Sequence, residues 1–351
     1  GYSALTTAVD VSYNTAVGAY ALNTTEANNN VGVGYLALYA NTTGAENVAV
    51  GSEALDANTT GAENVAVGYG SLSNATTASY NTAVGKSSLG SNTTGASNTA
   101  FGKSALAANT TAPNNVAVGS GAGDALTTGG YNVAIGTNAL STATTTTANV
   151  AVGERALEDC TGEQNTALGA HTLRDNTSGN ANVAVGYFAL GVNTTGDRNT
   201  AVGYGALDAN TTANYNVAMG WTALGVCTTG ANNTAVGSFA LQSHTTANNN
   251  TALGYAGLQA NTTGTGNVAV GHQALYNNTT ASNNNAFGAS ALLTNTTGAH
   301  NNAFGTLALD ACTTGGYNIA MGSNALGDST TGGNNVGIGH DAGGQITTGV
   351  N

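Results

Sequence analysis

Few residues in this 351-residue sequence could do chemistry. Five histidines, His171, His244, His272, His300 and His340, are candidates for metal ligation or proton transfer. Cys160, Cys227 and Cys312 could supply a thiolate or a disulfide. Seventeen Asp plus Glu stand against five Lys plus Arg, enough carboxylate for acid–base catalysis or a calcium site. All of these chemistries require two or more side chains close together, so the elements that position them decide the matter.

Those elements are set by one repeat. Glycines that close Ala-Val-Gly-like triplets run from Gly1 through Gly18, Gly34, Gly51 and Gly68 to Gly339. Of the 20 intervals between them, 18 are 17 residues; the two of 16 run from Gly18 to Gly34 and from Gly153 to Gly169. Residues 1–351 therefore read as a single uninterrupted repeat array without a linker. The consensus is Gly-x-x-Ala-Leu-x-x-Asn-Thr-Thr-Gly-x-x-Asn-(Val/Thr)-Ala-Val. Seventeen residues are too few for a helix pair, and Val and Thr beside fixed glycines favour strands. The expected fold class is all-β: a parallel β-solenoid or β-roll of about 20 coils, each with two strands of about five residues and two Gly/Asn corners.

Composition is consistent with that reading and excludes others. Val, Leu, Ile and Phe make up only 60 of 351 residues, a share that by itself suggests disorder. Only 6% of residues are charged, however, and a repeat lets a few apolar places per coil stack into a continuous interior. The single proline excludes collagen and proline-rich linkers. A net charge of −12 with five cations argues against nucleic-acid and anionic-membrane partners. No apolar run approaches the roughly 20 residues of a membrane span, so no membrane insertion is expected.

The coils can be compared place by place, counting each closing glycine as place 0. Place 15 is Ala in all but two coils, as at Ala49, Ala66, Ala83, Ala100, Ala117 and Ala134, the exceptions being Gly32 and Gly337. Place 16 is always apolar, as at Val50, Phe101, Ile135, Leu168 and Met219. Neighbouring residues of a strand face opposite sides. With the larger residues inside, the alanine column faces outward, and its small size suits close approach of another chain. An interchain interface at these alanines, in an oligomeric fibre, is the expectation.

Place 7 is normally Asn, and its exceptions are informative. In two coils the usual Leu of place 4 becomes Gly123 or Gly343, and place 7 becomes Leu126 or Ile346, as conserved interior volume requires. Places 4 and 7 then share one interior. Asn58, Asn92, Asn109, Asn193, Asn210, Asn261, Asn278 and Asn295 are expected to point inward as a ladder of amides. All three cysteines stand at the same place. Separated by 67 and 85 residues, they lie too far apart for a bond within the chain and read as free buried thiols. Inward amides cannot carry glycans, which leaves Asn74 and Asn232 as the candidate acceptor sites.

The same map disperses the candidate chemistry. The histidines are scattered over places 1, 2, 7 and 12 of five coils, with His244 replacing an inward Asn, and the carboxylates form no stacked column. No metal site, cofactor or catalytic set is expected, and the chain reads as a non-enzyme. Adjacent threonines such as Thr59 and Thr60 give an outward rank one Thr wide, which makes an ice-binding solenoid a minor alternative. Aromatics at place 1, Tyr69, Tyr187, Tyr204, Trp221 and Tyr255, could stack on cell-surface glycans.

Asn-Val-Ala-Val-Gly at residues 47–51 and Asn-Thr-Ala-Val-Gly at residues 81–85, with the consensus Ala-Leu and Asn-Thr-Thr-Gly that follow, carry a resemblance. They resemble the repeats of bacteriophage tail-fibre stalks and, more distantly, the β-roll head repeats of trimeric autotransporter adhesins. The likeness covers the whole chain. It implies a parallel β-roll assembled as a homotrimer, placed outside the cell, on its surface or on a virion, whose role is reach and attachment. The function expected is a structural shaft segment that positions a receptor-binding tip. A repeat adhesin whose shaft binds carbohydrate and a self-assembling matrix or pilus-like filament are the alternatives. Because Gly1 already occupies place 0 and the last coil stops at Asn351, a segment of a longer fibre is expected.

Overall fold

Each (Val/Thr)-Ala-apolar triplet forms a three-residue strand, with β-branched residues prominent at its two outer positions. The computed structural model describes residues 1–6 and 11–349 and divides into two units, Gly1–Ser178 and Gly179–Asn351. The first holds ten strands, β1 (Thr15–Val17) to β10 (Thr166–Leu168), and the second ten more, β11 (Val183–Val185) to β20 (Val336–Ile338). Within each unit successive strands pair in parallel with equivalent places facing. Val48, Ala49 and Val50 oppose Val65, Ala66 and Val67 in one, and Val217, Ala218 and Met219 oppose Thr234, Ala235 and Val236 in the other. Each unit is a parallel β-solenoid with the 17-residue period, and no helix occurs among the described residues.

A coil contains one strand, not the two that the sequence suggests. The remainder is turn, because places 2, 4 and 12 adopt a left-handed backbone, as at Glu53 (φ 57°), Leu55 (φ 52°) and Glu63 (φ 57°). A left-handed non-glycine residue costs about 1–2 kcal/mol, so the surroundings must favour it. They do so through hydrogen bonds along the stack. The N–H of Glu53 donates to Tyr35 O at 2.8 Å, that of Leu55 to Ser71 O at 2.9 Å and that of Glu63 to Ala45 O at 3.1 Å. At place 8 the Thr59 amide donates to Thr76 O at 2.9 Å and its hydroxyl to the same oxygen at 3.0 Å. Turn backbone thus finds the partners that strand backbone would have had. Place 0 admits only glycine: Gly51 has φ 141°, and a Cβ there would lie 2.4 Å from Gly68 O.

The interior is thin and mixed. Leu at place 4, Ala at places 3 and 15, and Asn at places 7 and 13 line it, as Leu55, Ala54, Ala66, Asn58 and Asn64 show with no exposed surface. The alanine column therefore faces inward, which overturns the interface expected there. Ala49, Ala66, Ala83, Ala100 and Ala117 are fully buried and Ala134 is 1% exposed. Volume explains the reversal. Where place 15 is glycine, an added Cβ would fall 3.1 Å from Leu22 Cγ at Gly32 and 2.8 Å from Leu326 Cγ at Gly337. Leucine supplied by the turn already fills the coil and leaves the strand room for a methyl group at most. The larger residues at places 14 and 16 accordingly point outward. The exchange of Leu for Gly123 follows the same geometry: a Cβ at Gly123 would meet Cδ1 of the buried Leu126 at 3.1 Å.

Candidate functional surfaces

Two amide ladders run inside the coils. Asn58, Asn92, Asn109, Asn193, Asn210, Asn261, Asn278 and Asn295 at place 7 are fully buried. Asn58 Nδ2 donates to Asn41 Oδ1 at 2.7 Å and to Gly61 O at 2.9 Å, and Asn210 Nδ2 donates to Asn193 Oδ1 at 2.7 Å. The second ladder, at place 13, is the more continuous and was not assigned from the sequence. Asn81 Oδ1 accepts from the backbone N–H of Asn98 at 2.9 Å and from its Nδ2 at 3.2 Å, and Asn98 Oδ1 accepts in turn from the Asn115 N–H at 2.9 Å. Its signal was available: place 13 is Asn in every coil, a stricter column than place 7.

The cysteines substitute for ladder amides. Cys227 Sγ donates to Gly230 O at 3.3 Å, Cys312 Sγ to Gly315 O at 3.5 Å and Cys160 Sγ to Gly162 O at 3.4 Å. All three are free and buried. Burial pushes the Cys227 and Cys312 thiols up to about 11 and raises that of Cys160, so they stay protonated and unreactive. His244 is also fully buried, with Nε2 2.7 Å from Ala247 O and Nδ1 3.4 Å from Asn261 Nδ2. A neutral ring carrying its proton on Nε2 satisfies both contacts, and burial lowers its pKa below the usual histidine value. Among the described residues no three His, Cys, Asp or Glu side chains gather as a metal site would require. Half-buried Asp56, Asp124 and Asp310 share place 5, and burial raises each carboxyl above the usual range.

The place-1 aromatics are exposed, but most turn edges rather than faces to solvent. Tyr187 stacks on Tyr204 at 5.7 Å and 22°, and Tyr204 lies 5.3 Å from Trp221 at 42°. Tyr255 stacks on His272 at 5.4 Å and 12°. Rings stacked along the coils occupy one another's faces, which leaves less surface for a sugar. Tyr69 differs: Lys86 Nζ lies 5.8 Å from its ring centroid, while a hydrogen bond to Glu53 and that residue's charge raise its pKa. A shallow groove of about 370 Å³ beside it is lined by Glu53, Ser73, Asn74, Ser87 and Ser91. A second cleft, also about 370 Å³, went unnoticed in the sequence because its tyrosines occupy different places. Tyr20, Tyr35, Leu36 and Tyr39 line it, and Tyr20 stands edge-on to Tyr35 at 77° and to Tyr39 at 83°. Tyr35 and Tyr39 are 50% and 39% exposed. The acceptor candidates Asn74 and Asn232 are both exposed.

Comparison of the sequence with protein-family models and with curated proteins finds no match to either.

Proposed function

We propose that this chain is a non-enzymatic shaft segment, a spacer outside the cell or on a virion that holds an attachment tip away from the surface bearing it. The observation that supports this most is the equivalence of successive coils: within each unit every strand meets its neighbour with the same places in register. Such an array carries length and little else, since each coil touches only the next. The resemblance of the Asn-Val-Ala-Val-Gly repeats to tail-fibre stalks supports the same reading, and assembly with further copies as a homotrimer is part of what we propose. Small-angle X-ray scattering tests it. Deleting the three coils of residues 51–101 should shorten the particle by about 14 Å at constant cross-section. A change in cross-section, or the profile of a flexible chain, would sink the proposal.

A second reading, a shaft that itself binds carbohydrate, is favoured by the cleft that Tyr20 forms with the exposed Tyr35 and Tyr39. A glycan array probed with the full chain and with Tyr35→Ala decides it, because loss of every hit in the variant is the outcome required.

A further inference from the structure

The strands present a charge-free face. Places 14 and 16 of every coil point outward, and neither place holds Asp, Glu, Lys, Arg or His anywhere in the array, on a chain whose net charge is −12. Place 16 is apolar throughout, and several of its side chains are largely uncovered: Phe101 is 56% exposed, Leu168 42%, Met219 41% and Met321 45%. Phe287 and Phe304 stack at 4.8 Å and 5° on this face, each more than a third exposed. Soluble monomers rarely leave a continuous apolar strip of this kind open.

We propose that this outer strand face is the surface on which a second copy of the chain lies, lengthwise. The inference rests on the shaft reading above and assigns its contact surface. Three observations identify the occupant. Two copies that meet on this face bring no charge together, and the face combines that with a continuous apolar rank, which the likewise largely uncharged threonine side lacks. A second copy has the same step between coils, so each outward rank of one chain meets a rank of the other at every coil. A partner without the 17-residue repeat matches only at isolated points. The size is also sufficient. Ten strands per unit, with two outward side chains each, offer twenty contact residues, against the 20–30 a side of a standard interface (about 800 Å² per partner). The interface thus sits one place to either side of the alanines, on the opposite face of the same strands.

Sedimentation equilibrium of the full chain tests the inference. The wild type should give a multiple of 34.1 kDa. The triple variant Phe101→Glu, Val118→Glu, Ile135→Glu, combined with Phe287→Glu, Phe304→Glu, Met321→Glu, should raise the dissociation constant at least about tenfold for the loss of each apolar pair worth about 1.4 kcal/mol. Glutamates at the exposed threonines Thr94, Thr111 and Thr128 should leave the mass unchanged. In case the six-fold variant fails to fold, the single variants Val118→Cys and Thr94→Cys supply a second readout, because the native thiols are buried. Oxidation should link chains through Val118→Cys and not through Thr94→Cys. A wild type that stays at 34.1 kDa at its highest soluble concentration overturns the proposal, as does equal linking through both cysteines. So does a monomer whose thermal hysteresis disappears in the glutamate variant, which would give the face to ice. A monomer with rod-like scattering sinks this interface and leaves the shaft reading standing.

Discussion

Asn98 shows how an interior amide holds neighbouring coils together. Its Oδ1 is the acceptor for the buried Asn115 N–H at 2.9 Å, while its Nδ2 donates to Ala112 O at 2.9 Å and to Asn81 Oδ1 at 3.2 Å. Truncation to alanine leaves these partners unequally placed. Ala112 O keeps the amide of Asn109 at 3.1 Å, and Asn81 Oδ1 keeps the backbone N–H of Asn98 itself at 2.9 Å. Only the Asn115 N–H is orphaned. One buried unsatisfied donor at about 2 kcal/mol and two weakened bonds at about 0.5 kcal/mol each sum to about 3 kcal/mol, or about a hundredfold in local opening. Hydrogen exchange of the segment around residues 98–116 should accelerate by that factor in Asn98→Ala and not in Thr94→Ala, where the side chain is exposed. Asn98→Asp sharpens the test. It still accepts from Asn115, but its second oxygen now faces the acceptors Ala112 O and Asn81 Oδ1, so the fold favours the protonated acid. Its folded pKa then lies above the unfolded value of about 3.9. Relative to wild type the variant is least impaired below that value and loses stability as pH rises through its folded pKa. An Asn98→Ala effect under tenfold, or an Asn98→Asp variant relatively more stable at neutral than at acidic pH, refutes the reasoning.

The buried histidine gives a slope of opposite sign. Burial holds the folded pKa of His244 below 6.5, so the unfolded chain takes up the proton first and stability falls as pH drops from 6.5 toward the folded value. The difference between urea midpoints at about pH 7.5 and about pH 5 should shrink in His244→Asn, which restores the ladder amide. Glycine positions should separate by space: Gly119→Ala brings a Cβ within 2.6 Å of Gly136 O and should cost about 3 kcal/mol or more. Gly70→Ala, left-handed at φ 60° with nothing within 4 Å, should cost only about 1–2 kcal/mol, both read from urea unfolding. Native Cys227 should resist an alkylating reagent until the chain unfolds, and Cys227→Asn should match or exceed wild-type stability by about 1 kcal/mol.

The repeat, its length and the inward place-7 column were legible because twenty versions of one coil act as an internal series, and the swap of Leu for Gly123 with Leu126 linked two places in space. The facing of the strand was not. Period-two alternation says only that Ala66 and Val67 point to opposite sides; which side is inside depends on what else occupies the coil. Here that is Leu55, delivered by a left-handed turn residue whose conformation no propensity scale anticipates. The same turns account for the missing second strand. The Tyr20 cleft is hidden for a different reason: its rings come from place 2 of one coil and places 1 and 5 of the next, so no column in the aligned repeats announces it.

Register between coils has a consequence for how such a gene can change. Because equivalent places face one another across the strand pairs within each unit, unequal crossing-over that adds or drops a whole 17-residue repeat there leaves each new junction equivalent to the old ones. A slip of one residue instead drives valine into the space that admits a methyl group and turns alanine to the outside, so partial edits are lost. Heritable length therefore comes in quanta of one strand spacing, about 4.8 Å. Recombination can tune reach on such a ladder without any new sequence having to be invented.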